Sequence, residues 1–381
     1  MILSADALVA PAVDGPGWLQ TEGDRIVALG SGVVAADAHF PVLVPGFVDV
    51  HVHGGAGAAF PGGDVEGALR AVAFHRAHGT TTMLASLVTA APEELRRAVD
   101  GLAELVVDGE IAGVHLEGPW LAASRCGAHD PAQLRDPDPA ELDRLLATGV
   151  VAMVTLAPER VGALDAVRRV AGAGAVAAVG HTDADFALTR AAIAAGARHA
   201  THLFNAMAPL HHREPGPVVA VLDDDRVTVE LVTDGLHVHP ALWEHVVRAA
   251  GAQRVAAVTD AMAAAGMPDG AYRLGRLDVE VVDRVARLAG GGVDGLGAIA
   301  GSTATADALF RNIVAHAAVP RTAALRRAVA MTASTPARAL GLPDVGELAV
   351  GRRADLVGLS ADLAVEAVYR SGQRVPPWHE R

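Results

Sequence analysis

The chain has 381 residues, a net charge of −13, 51% hydrophobic residues and a mean hydropathy of +0.31. That length suits one large domain with a smaller companion. The acidic balance and 3% aromatic content argue against a nucleic-acid footprint, and no apolar run reaches the ~20 residues of a spanning helix.

All 31 basic residues are arginine. The absence of lysine excludes a Schiff-base lysine, a carboxylated-lysine metal bridge and a P-loop. Cys126 is the single cysteine, so no intrachain disulfide can form. Met1 to Asp6 lack a basic region and a sustained apolar stretch, so a cytoplasmic location is expected.

Residues 1–44 read as short β segments with turns, and so does the stretch from 340 onward. The two ends are expected to pair into one small β-sandwich (1–44 with 340–381); two independent terminal hairpins are the alternative. Between them, 45–339 alternates apolar strands with amphipathic helices. Strands are predicted at 47–53, 80–87, 111–117, 151–156, 176–181, 199–202, 227–233 and 254–260. Helices are predicted at 64–78, from 92, and at 139–147, 160–172, 184–195 and 240–250. Continuous apolar strands separated by helices imply parallel strands buried on both faces. Eight such units predict an α/β fold, a (β/α)8 TIM-type barrel. A doubly wound sheet is the runner-up, but no G-x-G-x-x-G follows the first strand. Residues 271–297 alternate like an inserted hairpin, and helices near 304–317 and 321–333 follow.

The strand ends carry the chemistry. The first ends in His51 and His53, two apart and so facing one way. The third ends in Glu117, the fifth in His181, the sixth in His202 and the eighth in Asp260. In a barrel these ends meet at one rim. Histidine and carboxylate suit a divalent ion such as zinc or iron(II). His51, His53 and Asp260 could hold one metal, and His181 and His202 another, with Glu117 bridging. A water on such a metal ionises near neutral pH, and Asp260 is placed to take its proton and return it to a leaving amine. The chemistry implied is hydrolysis at a carbonyl.

Further motifs sharpen this. Pro45 to Gly55, Leu116-Glu-Gly-Pro-Trp120, Gly180-His-Thr182, Thr201-His-Leu-Phe-Asn-Ala-Met207, Arg213-Glu-Pro-Gly216, Asp234-Gly-Leu-His-Val238 and Val258-Thr-Asp-Ala-Met-Ala263 together resemble the N-acetylglucosamine-6-phosphate deacetylase family of the amidohydrolase superfamily. The resemblance implies hydrolysis of the acetamide of N-acetyl-D-glucosamine 6-phosphate. It implies Glu117, His181 and His202 as principal metal ligands, Asp260 as acid/base and His129 as the group polarising the acetyl carbonyl. Asn205, the Ala206 backbone and His237 would bind the sugar phosphate. Arg213 would bind phosphate across a homodimer interface. Some family members carry Gln-x-Asn in place of His51-x-His53 and bind one metal, so one or two ions per subunit are expected. Cys126 falls in the loop between Glu117 and His129, Asp307 has no assigned role, and His199 is expected to be structural. Two other readings stand beside this one: a deacylase of another amino sugar or acyl amino acid, and a metal-binding protein without turnover. A phosphate-free acyl amino acid would leave Arg213 and His237 without a task; a pure binder would need neither Asp260 nor His129.

Overall fold

The computed structural model describes residues 1–290 and 297–378. Eight strands form one parallel sheet: β1 (Phe47–Asp49), β2 (Thr80–Leu87), β3 (Gly113–Glu117), β4 (Val151–Leu156), β5 (Val176–Val179), β6 (His199–Ala200), β7 (Thr228–Leu231) and β8 (Val255–Ala257), hydrogen-bonded in sequence order. Just beyond β1 and β8 the chain closes the ring. Val52 bridges Ala261 in parallel; the His53 N–H donates to the Ala261 carbonyl (2.7 Å) and the Asp260 N–H to the His51 carbonyl (2.9 Å). The architecture is the expected TIM-type barrel.

Several strands are shorter than their apolar runs suggest. β1, β5, β6 and β8 stop before His51, His181, His202 and Asp260. The last three adopt positive φ (48°, 25° and 50°), a region disfavoured for residues with a Cβ and found where function demands it. The ladder ends there so that these side chains can turn into the barrel mouth.

Helices α1 (Val65–Ala77), α2 (Pro92–Val107), α3 (Pro139–Leu146), α4 (Ala163–Gly172) and α5 (Phe186–Ala195) cover one side. Helices α6 (Gly216–Leu222), α7 (Pro240–Ala250), α8 (Ala306–His316) and α9 (Arg321–Val329) cover the other. The sequence reading omits α6, whose seven residues follow Pro215 and include Pro217, a composition that reads as a turn. Val48, Leu84, Met153, Ala178, Val232 and Val258, from or just after six barrel strands, pack with Ala337 and Val345. Those last residues follow α9, so the C-terminal segment closes one end of the barrel core.

Both chain ends build one further sheet. Its seven strands run in the order Gln373–Arg374, Val365–Arg370, Leu356–Leu359, Ala38–Pro45, Ile2–Ala10, Val13–Glu22 and Arg25–Ser31. The ends join where Ala38–Pro45 pairs antiparallel with Leu356–Leu359, over a core of Leu3, Leu19, Ile26, Leu43 and Leu356. Pro45 ends this sheet and Phe47 begins the barrel, so the two units share one continuous segment.

The expected insertion is a three-stranded antiparallel sheet, β9 (Gly270–Leu274), β10 (Leu277–Val282) and β11 (Val285–Leu288). Residues 291–296 of it lie outside the described residues. It packs on Val88, Ala128, Met262 and Ala264 beside the mouth. No helix among the described residues is long and apolar enough to cross a membrane.

Candidate active site

A cavity of about 360 Å³ opens at the barrel mouth. His53, Glu117, His129, His181, His202 and Asp260 line its floor; Asn205, Ala206 and His237 line its wall, and Leu274 of β9 roofs it. His51 lies directly behind, fully buried. Arg213 is absent from the lining and exposed, with its guanidinium against His212 (2.6 Å). Asp307 also lies elsewhere, paired with His78 (3.4 Å) and Arg311 (2.7 Å). Cys126 is half-buried on the loop after β3.

Glu117 stands at the centre with one oxygen on each side. Its Oε1 is 3.0 Å from His181 Nε2 and 2.9 Å from His202 Nε2, and those two nitrogens are 3.1 Å apart. Its Oε2 is 3.2 Å from His53 Nε2, 3.5 Å from His51 Nε2 and 3.2 Å from His129 Nε2. Asp260 Oδ1 completes the second group at 3.3 Å from His53 and 3.5 Å from His51. The structure thus brings together the residues that the strand ends divide between two subsites, with Glu117 between the groups.

Partners at the far ring nitrogens fix which Nε2 carries a lone pair. His181 Nδ1–H donates to the Arg125 carbonyl (2.7 Å), His53 Nδ1–H to the Ser86 carbonyl (3.2 Å) and His51 Nδ1–H to the Glu230 carboxylate (2.9 Å). Those acceptors carry no proton of their own. In the neutral rings each Nε2 is therefore a bare acceptor, and each faces a carboxylate oxygen. Acceptors that close repel unless positive charge lies between them, and a divalent ion with imidazole and carboxylate ligands supplies it. The residues present fit a metal. His129 differs: its Nδ1 accepts from the Thr89 backbone N–H (3.2 Å), so the neutral ring carries its proton on Nε2. Although His129 falls within ligand distance of Glu117 and His181, it faces the cavity as a donor.

The charges agree. Burial resists protonation of His51, but Glu117, Glu230 and Asp260 outweigh it and lift its pKa well above the imidazole range. At His181 burial prevails and the pKa falls to about 4, leaving the neutral, ligating form. Burial would raise Asp260, yet His51 and His53 outweigh it and bring it to about 2, so it is ionised and able to accept a proton.

His237 donates from Nδ1 to Asp234 (2.7 Å), which also caps its backbone N–H (2.9 Å). That holds the ring upright on the wall, with Nε2 3.8 Å from Asp260 Oδ2. Asn205 donates to the His202 and Leu203 carbonyls (3.2 and 3.3 Å). The loop after β3 is tied down by Arg125 and Asp183 (2.6 Å). Three supports escape the sequence reading: Glu230, Asp49 and Thr89. The first two are acids inside otherwise apolar strands, which was the available clue. Asp49 accepts from the Thr259 hydroxyl (2.5 Å), fastening β1 to β8.

Comparison with known proteins agrees with this fold. The amidohydrolase family pattern matches residues 42–375. An N-acetylgalactosamine-6-phosphate deacetylase of Escherichia coli O157:H7 is 38% identical over 374 residues, covering 94% of this chain and 95% of that protein. The N-acetyl-D-glucosamine-6-phosphate deacetylase of Mycobacterium smegmatis, solved as an aspartate-to-alanine mutant with N-acetyl-D-glucosamine-6-phosphate, is 54% identical with a TM-score of 0.95, covering 98% of this chain and 99% of that one. The Thermotoga maritima N-acetylglucosamine-6-phosphate deacetylase superposes with a TM-score of 0.87 at 31% identity, covering 98% and 99%. A family pattern spanning most of the chain, and relatives this similar over nearly its whole length, establish that the chain belongs to the amidohydrolase family.

Proposed function

We propose that this chain hydrolyses the acetamide of N-acetyl-D-glucosamine 6-phosphate, giving D-glucosamine 6-phosphate and acetate. The observation that carries the reading is the convergence of an ionised Asp260 and a proton-bearing His129 Nε2 around the Oε2 side of Glu117. Glu117, His181 and His202 would hold one divalent ion, and His51, His53 and Asp260 a second. A divalent ion there lowers the pKa of a water and polarises a carbonyl. Asp260 accepts the proton of the attacking water and passes it to the departing amine. His129 donates to the acetyl oxygen as negative charge builds on it. Asn205, the Ala206 backbone and His237 orient the sugar and its phosphate from the wall. On the cavity floor His129 and His202 are only 4% exposed.

Arg213 is assigned the phosphate of a neighbouring subunit's substrate in a homodimer. Its exposed position outside its own cavity supports that role. The 38% identity to a galactosamine-phosphate enzyme favours a second reading, in which the 4-epimer is the better substrate. Acetate release from both phosphorylated epimers and from the unphosphorylated sugars tests all of this. The phosphorylated sugars are expected to turn over far better. Equal turnover with and without phosphate would overturn the substrate assignment, and preference between epimers decides the second reading.

A further inference from the structure

Glu230 occupies the middle of β7, between Val229 and Leu231, with 0% exposure. It does not line the cavity, so it touches no substrate. A carboxylate at such a depth is costly unless its lone pairs are filled. They are. Oε2 accepts from the His202 backbone N–H (2.9 Å) and from His51 Nδ1–H (2.9 Å), while Oε1 accepts from His199 Nε2–H (3.0 Å).

The consequence lies at His51. The backbone bond from His202 and the bond from His199 fix the carboxylate from two sides, aiming a lone pair of Oε2 at His51 Nδ1. A carboxylate can only accept, so the proton of a neutral His51 must sit on Nδ1. Its Nε2 then presents a lone pair 3.1 Å from His53 Nε2 and 3.5 Å from Asp260 Oδ1. A histidine held this way is pre-oriented as a ligand, and loss of such an outer partner weakens metal binding by about 10- to 100-fold. We infer that Glu230 is the positioning residue that makes His51 a metal ligand, and that the His51–His53–Asp260 subsite depends on it far more than the Glu117–His181–His202 subsite, which it touches only through the His202 backbone N–H.

The inference rests on the metal-centre reading and not on the choice of substrate. A protein that binds two ions but releases no acetate would sink the substrate and leave Glu230 standing. The test titrates the metal-stripped full chain with zinc against a chelating dye, with thermal melts confirming folding. The wild type is expected to bind two ions per chain. Glu230→Leu, which leaves His51 without its acceptor, is expected to bind one. Glu230→Gln keeps an acceptor but a weaker, uncharged one. It is expected to hold the tighter ion within about threefold and to weaken the other by about 10-fold or more. If Glu230 acts through His51, the double variant His51→Gln, Glu230→Gln binds zinc no worse than His51→Gln alone. Two unchanged affinities in Glu230→Gln would overturn the inference. So would equal weakening of both sites, the mark of a merely structural role, and so would a wild type that binds a single ion.

Discussion

His129 and His181 lie edge to face with ring centroids 4.6 Å apart, and hydrogen bonds give them opposite tautomers. His181 is held by the Arg125 carbonyl, an acceptor; His129 is held by the Thr89 backbone N–H, a donor. The same residue type thus presents a lone pair from Nε2 in one place and a proton in the other. Spacing in the sequence cannot separate the two, because both sit at ligand distance from Glu117. Replacing each should. His129→Ala is expected to lower kcat by about 10²- to 10³-fold, the range for losing one donor to a developing oxyanion, while metal content stays at the wild-type value. Loss of metal along with activity would instead make His129 a ligand. The measurement is metal per chain beside steady-state kinetics on the same preparation.

Strand ends, as elements, put these residues in place, and Gly180 shows how tightly. It joins β5 to His181. A Cβ there would lie 2.7 Å from Thr201 Cβ and 2.8 Å from Thr155 Cγ2. Neither threonine can yield easily. Thr155 and Thr201 are fully buried and hydrogen-bonded to each other (2.7 Å), and Thr155 also bonds His115 Nε2 (2.8 Å). Gly180→Ala is therefore an overpacking change and should cost about 1–3 kcal/mol, read as a fall in the denaturant midpoint; an unchanged midpoint would show that the threonine layer adapts. The barrel itself was legible in the sequence, because runs such as Thr80 to Leu87 and Val151 to Leu156 carry no charge and are rich in apolar and β-branched residues. The residues that converge at the mouth were legible because five of the eight strand ends carry a histidine or an acid. The exits of β5, β6 and β8 were not, since local composition does not show that His181, His202 and Asp260 leave the ladder at positive φ. Nor was the partner of His51: Glu230 lies 179 residues away, and only its charge within an apolar strand marked it. Helix α6 escaped for a different reason, its prolines reading as a turn although burial of Val218 and Val221 secures it.

For the whole molecule, the difficulty with the proposed substrate is charge: a protein of net −13 would bind a phosphorylated sugar against its own field. Local cations have to supply the attraction, and in one subunit the arginine lining the cavity, Arg125, is already paired with Asp183 while Arg213 stays outside. If Arg213 reaches the phosphate of a neighbouring subunit, each site is built from two chains. Arg213→Ala should then raise KM with kcat little changed, by roughly 10- to 100-fold for the loss of a charged hydrogen bond. Asp260→Asn should lower kcat by about 10²- to 10⁴-fold. Co-expressing the two variants separates action between subunits from action within one. In a hybrid dimer, the site on the Arg213→Ala chain keeps its own Asp260 and receives an intact arginine from the Asp260→Asn chain. Random pairing makes half the dimers hybrids with one repaired site of two, so activity at low substrate should recover to roughly a quarter of wild type. If Arg213 serves its own subunit, every site in the mixture carries one lesion, and activity stays at the mean of the two parents.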